Sequence, residues 1–527
     1  MKLALILQAT LGVMGSAENF TQPILWQDLA DTDLIRVNET YYYSASNMHF
    51  SPGAPLLRSY DLVNWEYLSH SVPFYDVEDE RFKLTNGNVY NGGVFASSIG
   101  FDQAAGLFYW LGCLQSDGKT YIYTATEATG PWELKSVIAD YCYYDAGLLI
   151  DDDGKKYVAY SKWVPDGSQA KIRVASLTDD LQIESSKIVF ESNADIMYIE
   201  GARFYKINGT YYIWLVHHNG FRGQMIIKSS GGPWGPYDQW RPVLENSGNP
   251  VAGAGNPHQG GIVETPDGDW WYIAFVERYP NGRLPVLAPL YWDEEGWPHV
   301  EFSAPNTWSS SYRYPLPKHE LMPLRRTTEF PGPELEPQFE WNHNPDPTKF
   351  TVHNGLTLAT ATVTDDFFQA RNTLSRRIVG PQSAALIELE YSDMQDGDKT
   401  GLAVFRYNAG WIGLSKVGDA VTLEMVANVL MDPTDGWKTT NRGEVVASVQ
   451  VAPSGSIWLR VDSKADREPS LNDFSYSVDG GLSFVPLGTK HETLSGQIFF
   501  MGDRWGMFNF ATKELGGQVR VKTFTIE

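Results

Sequence analysis

Cysteine is almost missing from this chain of 527 residues, which has only Cys113 and Cys142. That excludes a scaffold held by several disulfides and a multi-cysteine zinc site. An oxidising compartment permits one bridge between the two, and two buried free thiols are the alternative. Cationic side chains are also scarce: 41 Lys and Arg stand against 64 Asp and Glu, for a net charge of −23. Phosphate backbones and anionic bilayers are bound through Lys and Arg, so neither nucleic acid nor a membrane is an expected partner. A neutral or cationic substrate fits better. No later segment has the roughly 18 uninterrupted apolar residues of a spanning helix, and no long stretch repeats with a helical period. HExxH, CxxC and Walker patterns are absent, so a catalytic metal or nucleotide is not implied.

What the chain does have begins with a secretion signature. Lys2 precedes the largely apolar Leu3 to Met14, and Gly15-Ser16-Ala17 supplies small residues for cleavage, so residues 1–17 read as a signal peptide. Three sequons, at Asn19, Asn38 and Asn208, fit an extracellular, glycosylated protein. Aromatic residues are plentiful, with 18 Trp and 28 Tyr. They suit strands in general, and their flat faces also suit the apolar faces of sugar rings.

Five segments in the first 300 residues share a turn followed by an aromatic strand. They start at Asn38, Ala105, Asp153, Asn208 and Asp267, as in Asn208-Gly-Thr-Tyr-Tyr-Ile-Trp-Leu. Asn-Gly and Asp-Gly at such points are strong hairpin signals. Each turn follows another apolar run, such as Ala146-Gly-Leu-Leu-Ile. The spacing is that of propeller blades with loop insertions, so residues 18–320 predict a five-bladed β-propeller. A stacked solenoid is the alternative, although its repeats are usually more regular. Prolines then punctuate a linker at 321–335. Alternating runs such as Ala384-Ala-Leu-Ile-Glu-Leu-Glu-Tyr predict a β-sandwich over 336–527. The expected class is all-β.

Several motifs, in order, resemble glycoside hydrolase family 43. Ala30-Asp31-Thr32-Asp33 resembles the family's first acidic motif, Tyr144-Asp145-Ala146-Gly147 its second, and Ile199-Glu200-Gly201-Ala202-Arg203 its third. His258-Gln-Gly-Gly and Gly282-Arg283 resemble its last-blade motifs, and Trp341-Asn-His-Asn resembles the concanavalin-like sandwich behind many members. Thr32 and Ala202 replace prolines usual in the family, and Phe95-Ala96-Ser97 replaces a common Trp-Ala-Pro. These departures bear on subfamily and specificity and leave the acids intact. The first two blades look most like fungal arabinofuranosidases that trim arabinoxylan.

The resemblance implies an inverting hydrolase. Such an enzyme needs an acid to protonate the leaving oxygen and a base to activate water. Asp31 would be the base and Glu200 the acid. Asp145 would keep the acid protonated and orient it, since one negative charge disfavours a second nearby. Each has a plainer reading: a turn residue for Asp31, a calcium loop with Asp151 to Asp153 for Asp145, and a solvated strand residue for Glu200; Asp-Asp-Asp-Gly lies between strand-like runs and lacks the glutamate of an EF-hand, so it reads as a hairpin turn. Arg283 would contact sugar hydroxyls through its fork of donors. His258 would line the pocket or face an ion on the propeller axis, which leaves a structural calcium open; no cofactor is required for catalysis. Tyr144, Phe95 and Trp26 are candidate pocket walls, with blade packing as the alternative. The expected activity is α-L-arabinofuranosidase on arabinoxylan. β-D-Xylosidase and a non-catalytic carbohydrate-binding propeller are the alternatives.

Overall fold

The computed structural model describes residues 18–162, 171–192, 199–217, 223–244 and 248–527. The signal-peptide reading of 1–17 lies outside them. Among the described residues the only helices are four short 3-10 turns. The rest of the regular structure is β, as the missing helical period requires.

Each of the five repeats is the first hairpin of a four-stranded antiparallel blade. At Asn208-Gly209 both turn residues have positive φ, 50° and 78°. That is the primed turn whose twist matches the flanking strands, which is why Asn-Gly marks it in the sequence. The innermost strands are Asp33–Val37, Val94–Asp102, Tyr144–Ile150, Ile199–Ile207 and His258–Glu264. Each contacts the next, and the fifth contacts the first, so the ring closes. Asn19–Thr21 pairs with Ser311–Arg313, and the Leu29 amide donates to the Arg283 carbonyl at 3.0 Å, which laces the start of the chain along the fifth blade.

Most of the aromatic surplus fills the spaces between blades. Tyr41, Tyr43, Trp110, Trp214 and Tyr272 lie on second strands and are buried; the Trp214 and Tyr272 rings, in adjacent blades, are 5.2 Å apart. An aromatic side chain buries more apolar area than any aliphatic one, so it suits the wedge between radially splayed sheets.

The second unit is a sandwich of a nine-stranded and an eight-stranded antiparallel sheet. The eight-stranded sheet ends on a strand that comes from the propeller. Phe50–Ser51, inserted in the first blade, pairs with Phe339–Asn342 through Trp341↔Ser51 and Asn342↔Phe50. This shared sheet fixes the sandwich over the end of the propeller that carries the inner-strand starts.

Candidate active site

Four of the five inner strands begin with a break in register. The shifts fall between Val94 and Ser97, Tyr144 and Gly147, Glu200 and Arg203, and His258 and Gly261. Such bulges re-aim side chains where a sheet ends. The backbone is left-handed at Asp145 (φ 48°), Gly201 (72°) and Gln259 (44°), and also at Asp31 (57°), which lies just before the first inner strand. Asp31 and Asp145 therefore hold the same place in the first and third blades, each two residues ahead of the regular pairs Asp33↔Ser44 and Gly147↔Ala159. Glu200 and His258 hold the preceding place in the fourth and fifth. A non-glycine residue in this region costs about 1–3 kcal/mol and persists where the surroundings enforce it. The break turns these side chains off the sheets toward the axis.

Asp31 is buried and anchored on both oxygens. Oδ1 accepts from Arg283 Nη1 at 2.8 Å, and Oδ2 accepts from Ser46 Oγ at 2.6 Å. Arg203, fully buried, donates to the Asp31 and Thr32 carbonyls at 2.8 and 3.2 Å. It thereby holds the left-handed turn that aims Asp31. Asp33 is its nearest carboxylate, 3.6 Å away. Asp33 in turn accepts from Ser98 Oγ and the Ile99 amide, and so ties the first blade to the second.

Asp145 is half-buried. Burial first, then the negative charges of Glu200 and Asp31, raise it well above the usual carboxylate range, against Arg203 and the Gly201 amide, which donates to Oδ2 at 3.1 Å. Three carboxyl groups from the first, third and fourth blades thus share one electrostatic environment.

A raised carboxyl destabilises the fold wherever it ionises. The folded state then binds more protons than the unfolded chain, so this part of the stability falls as pH rises from about 4, the unfolded value, through the folded one. Asp145→Asn is expected to melt about 1–2 °C higher than the parent at pH 7, with the gain vanishing below about pH 4. Calorimetry across pH checks this; a gain that grows toward acid would contradict it.

Arg283 faces Asp31 directly, and its guanidinium carbon lies 5.3 Å from the Phe275 ring. Its amide donates to Asp28 Oδ1 at 2.8 Å and its Nε to the Phe500 carbonyl at 3.0 Å. Phe500 belongs to the sandwich, and its ring is 6.4 Å from that of Phe95. The second domain therefore reaches the side chain that holds Asp31. His258 is buried, with Nδ1 2.9 Å from the Asn256 carbonyl and its ring 4.5 Å from that of Phe275. Tyr144 is half-buried beside Asp145. Trp26 lies at the domain junction, where its carbonyl accepts from the Gly380 amide at 2.8 Å. Cys113 and Cys142 form a disulfide, with Cα atoms 5.3 Å apart, three residues ahead of Asp145. The Asp151 carboxylate of the charged hairpin is bound to Lys206 and Tyr211 and braces the third blade on the fourth. Asn19, Asn38 and Asn208 are all exposed.

Sequence reasoning did not find Arg203, Ser46, Asp28 or Phe500 as site residues. Arg203 stands in the quoted third motif, but its partners lie 171 and 172 positions away. Only the closed ring brings them together.

Residues 20–298 match the family model described as glycosyl hydrolases family 43. Residues 327–527 match that of the beta xylosidase C-terminal concanavalin A-like domain. A beta-xylosidase from Formosa agariphila is 26% identical over 96% of this chain and 90% of its own length. A non-reducing end alpha-L-arabinofuranosidase from Bacteroides ovatus is 28% identical over 62% of each chain. Among solved structures, one covers 97% of this chain and all of its own, with 38% identity and a TM-score of 0.91. That protein is a GH43 glycoside hydrolase whose active site was engineered to display both endo-xylanase and exo-arabinofuranosidase activity.

Proposed function

Because this chain belongs to glycosyl hydrolase family 43, we propose that it is an inverting, exo-acting α-L-arabinofuranosidase that releases side-chain arabinofuranose from arabinoxylan. The observation that carries the choice of sugar is the full-length likeness, at 38% identity, to a GH43 enzyme engineered to display both endo-xylanase and exo-arabinofuranosidase activity. The net charge of −23 agrees with a neutral polysaccharide.

In this reading Asp31 takes a proton from water as the water oxygen attacks the anomeric carbon. The glycosidic C–O bond breaks on the opposite face, and its oxygen takes the proton delivered by Glu200. Asp145 keeps that proton available, because the two carboxyls cannot both ionise cheaply. Inverting enzymes separate acid and base by about 6.5–9.5 Å to admit the water. Asp31 and Glu200 come from blades that are not neighbours in the ring. Arg283 and Ser46 direct the Asp31 carboxylate, which lets the base act without a reorientation cost. Phe95 and Phe500 offer ring faces to the sugar. No cofactor enters these steps. Secretion is part of the proposal, and the exposed sequons and the disulfide support it.

β-D-Xylosidase is the second reading, favoured by the Formosa agariphila relative that spans 96% of the chain. Assays on an aryl α-L-arabinofuranoside, an aryl β-D-xyloside and arabinoxylan separate the two. Arabinose released from the first and third, with inverted anomeric configuration by early-time NMR, is expected. Xylose release from the xyloside alone would replace the first reading by the second.

A further inference from the structure

Directly behind the pocket a carboxylate of the sandwich is wholly enclosed. Glu340, on Phe339–Asn342, is 0% exposed. Its Oε2 accepts from Arg504 Nη1 at 2.5 Å, and Arg377 Nη1 stands 3.0 Å from its Oε1. Two propeller side chains complete the shell: Asn47 Nδ2 and His70 Nε2 each lie 3.1 Å from Oε1. Burial alone would raise this carboxyl, yet Arg377, Arg504 and His70 together hold it well below the usual glutamate range. It is a fixed negative charge at the domain junction.

Two short paths lead from this charge to Asp31. Asn47 follows Ser46, whose hydroxyl donates to Asp31 Oδ2. Asn47 also accepts from the Ala54 amide at 2.9 Å and donates to the Pro52 carbonyl at 2.7 Å, so its side chain sets the course of this segment. On the other side, Arg377 Nε donates to the Asp28 carbonyl at 2.7 Å. The Asp28 carboxylate accepts from the Arg283 amide, and Arg283 holds Asp31 Oδ1. Both side chains that grip Asp31 are thus backed by residues that grip Glu340. The domains are in tight contact here: a methyl on Gly502 of the sandwich would come within 2.0 Å of the Asn281 carbonyl oxygen, two residues before Arg283.

We propose that Glu340 is a positioning residue for the catalytic base, acting on Asp31 through Asn47–Ser46 and through Arg377–Asp28–Arg283. This rests on the assignment of Asp31 as the base. The sandwich then serves catalysis, and the propeller without it would hold its base loosely. A buried charge removed from one side of such a cluster leaves its partners unpaired, and the backing of Ser46 and Arg283 shifts with them.

Glu340→Gln keeps the shape and removes the charge. It is expected to lower kcat by at least tenfold and up to on the order of 10²-fold, as a small displacement of a reacting group does, with KM within about twofold. Rates are normalised to the folded fraction from the melting curve. His70→Gln touches the same carboxylate but lies on neither path, and a cooperative melt for it shows that the cluster tolerates change. The leaving-group dependence supplies a readout that lost stability would not move: a displaced base slows attack by water, so Glu340→Gln should lose kcat equally on good and poor leaving groups. Azide tests the base itself. It attacks the anomeric carbon without surrendering a proton, so in Asp31→Ala, where the carboxylate is gone, the glycosyl azide should form while the leaving oxygen takes the acid's proton. If Asp31→Ala is rescued and Glu340→Gln has parental kcat, or loses kcat only on poor leaving groups, the positioning role is overturned and the base assignment stands. If Asp31→Ala itself retains activity without azide, the base assignment fails first.

Discussion

Glu200→Gln is expected to lose activity in proportion to how badly the leaving group needs a proton. On arabinoxylan oligosaccharides the departing oxygen is a sugar alkoxide, and loss of the general acid should lower kcat on the order of 10³-fold, within the range of about 10²–10⁴ for such catalysts. On a dinitrophenyl glycoside the departing phenolate is stable without protonation, and the loss should be less than about tenfold. Steady-state rates over a series of aryl leaving groups measure the contrast as a slope that is steep for the variant and shallow for the parent. The structural basis is the neighbouring Asp145, whose carboxyl is raised by burial and by the Glu200 charge, and the Gly201 amide that links the two segments. An equal loss on both substrates would assign Glu200 to binding or shape instead.

That Asp31, Asp145 and Glu200 come together was legible because each sits in a local pattern. Asp31, Asp145 and Glu200 lie at the start of an inner strand, and the hairpin that follows each is marked by its turn residues and aromatics. The blades themselves were readable for the same reason, since primed turns and period-two strands are local properties. What stayed hidden depends on closure. Arg203 looks like one more charged strand residue until the ring sets it beneath Asp31. Glu340 sits in Phe-Glu-Trp-Asn, where alternation would put it on a wet face; the structure buries all four residues because the propeller covers that face. Phe500 gives no signal at all, since its role comes from a carbonyl and a ring aimed across a domain junction. Alternation along a strand says which residues share a face, and it cannot say whether a second domain lies on the other one.

That junction also bears on the other large effect expected. Asp31→Asn should lower kcat on the order of 10³-fold or more, and unlike the Glu200 variant it should do so equally for good and poor leaving groups, because the proton it handles comes from water. The amide keeps an oxygen for Arg283 but turns an NH2 toward Ser46, so the pocket stays filled while the proton acceptor is lost. Arg283 then faces a neutral group. Its remaining anchors, the Phe500 carbonyl and Ser46, should keep it in place, and a cooperative melt within a few degrees of the parent checks that they do. A flat leaving-group dependence together with that intact fold would identify Asp31 as the group that activates water. A loss confined to poor leaving groups would mean instead that Asp31 works on the departing side, and the roles of the first and fourth blades would have to be exchanged.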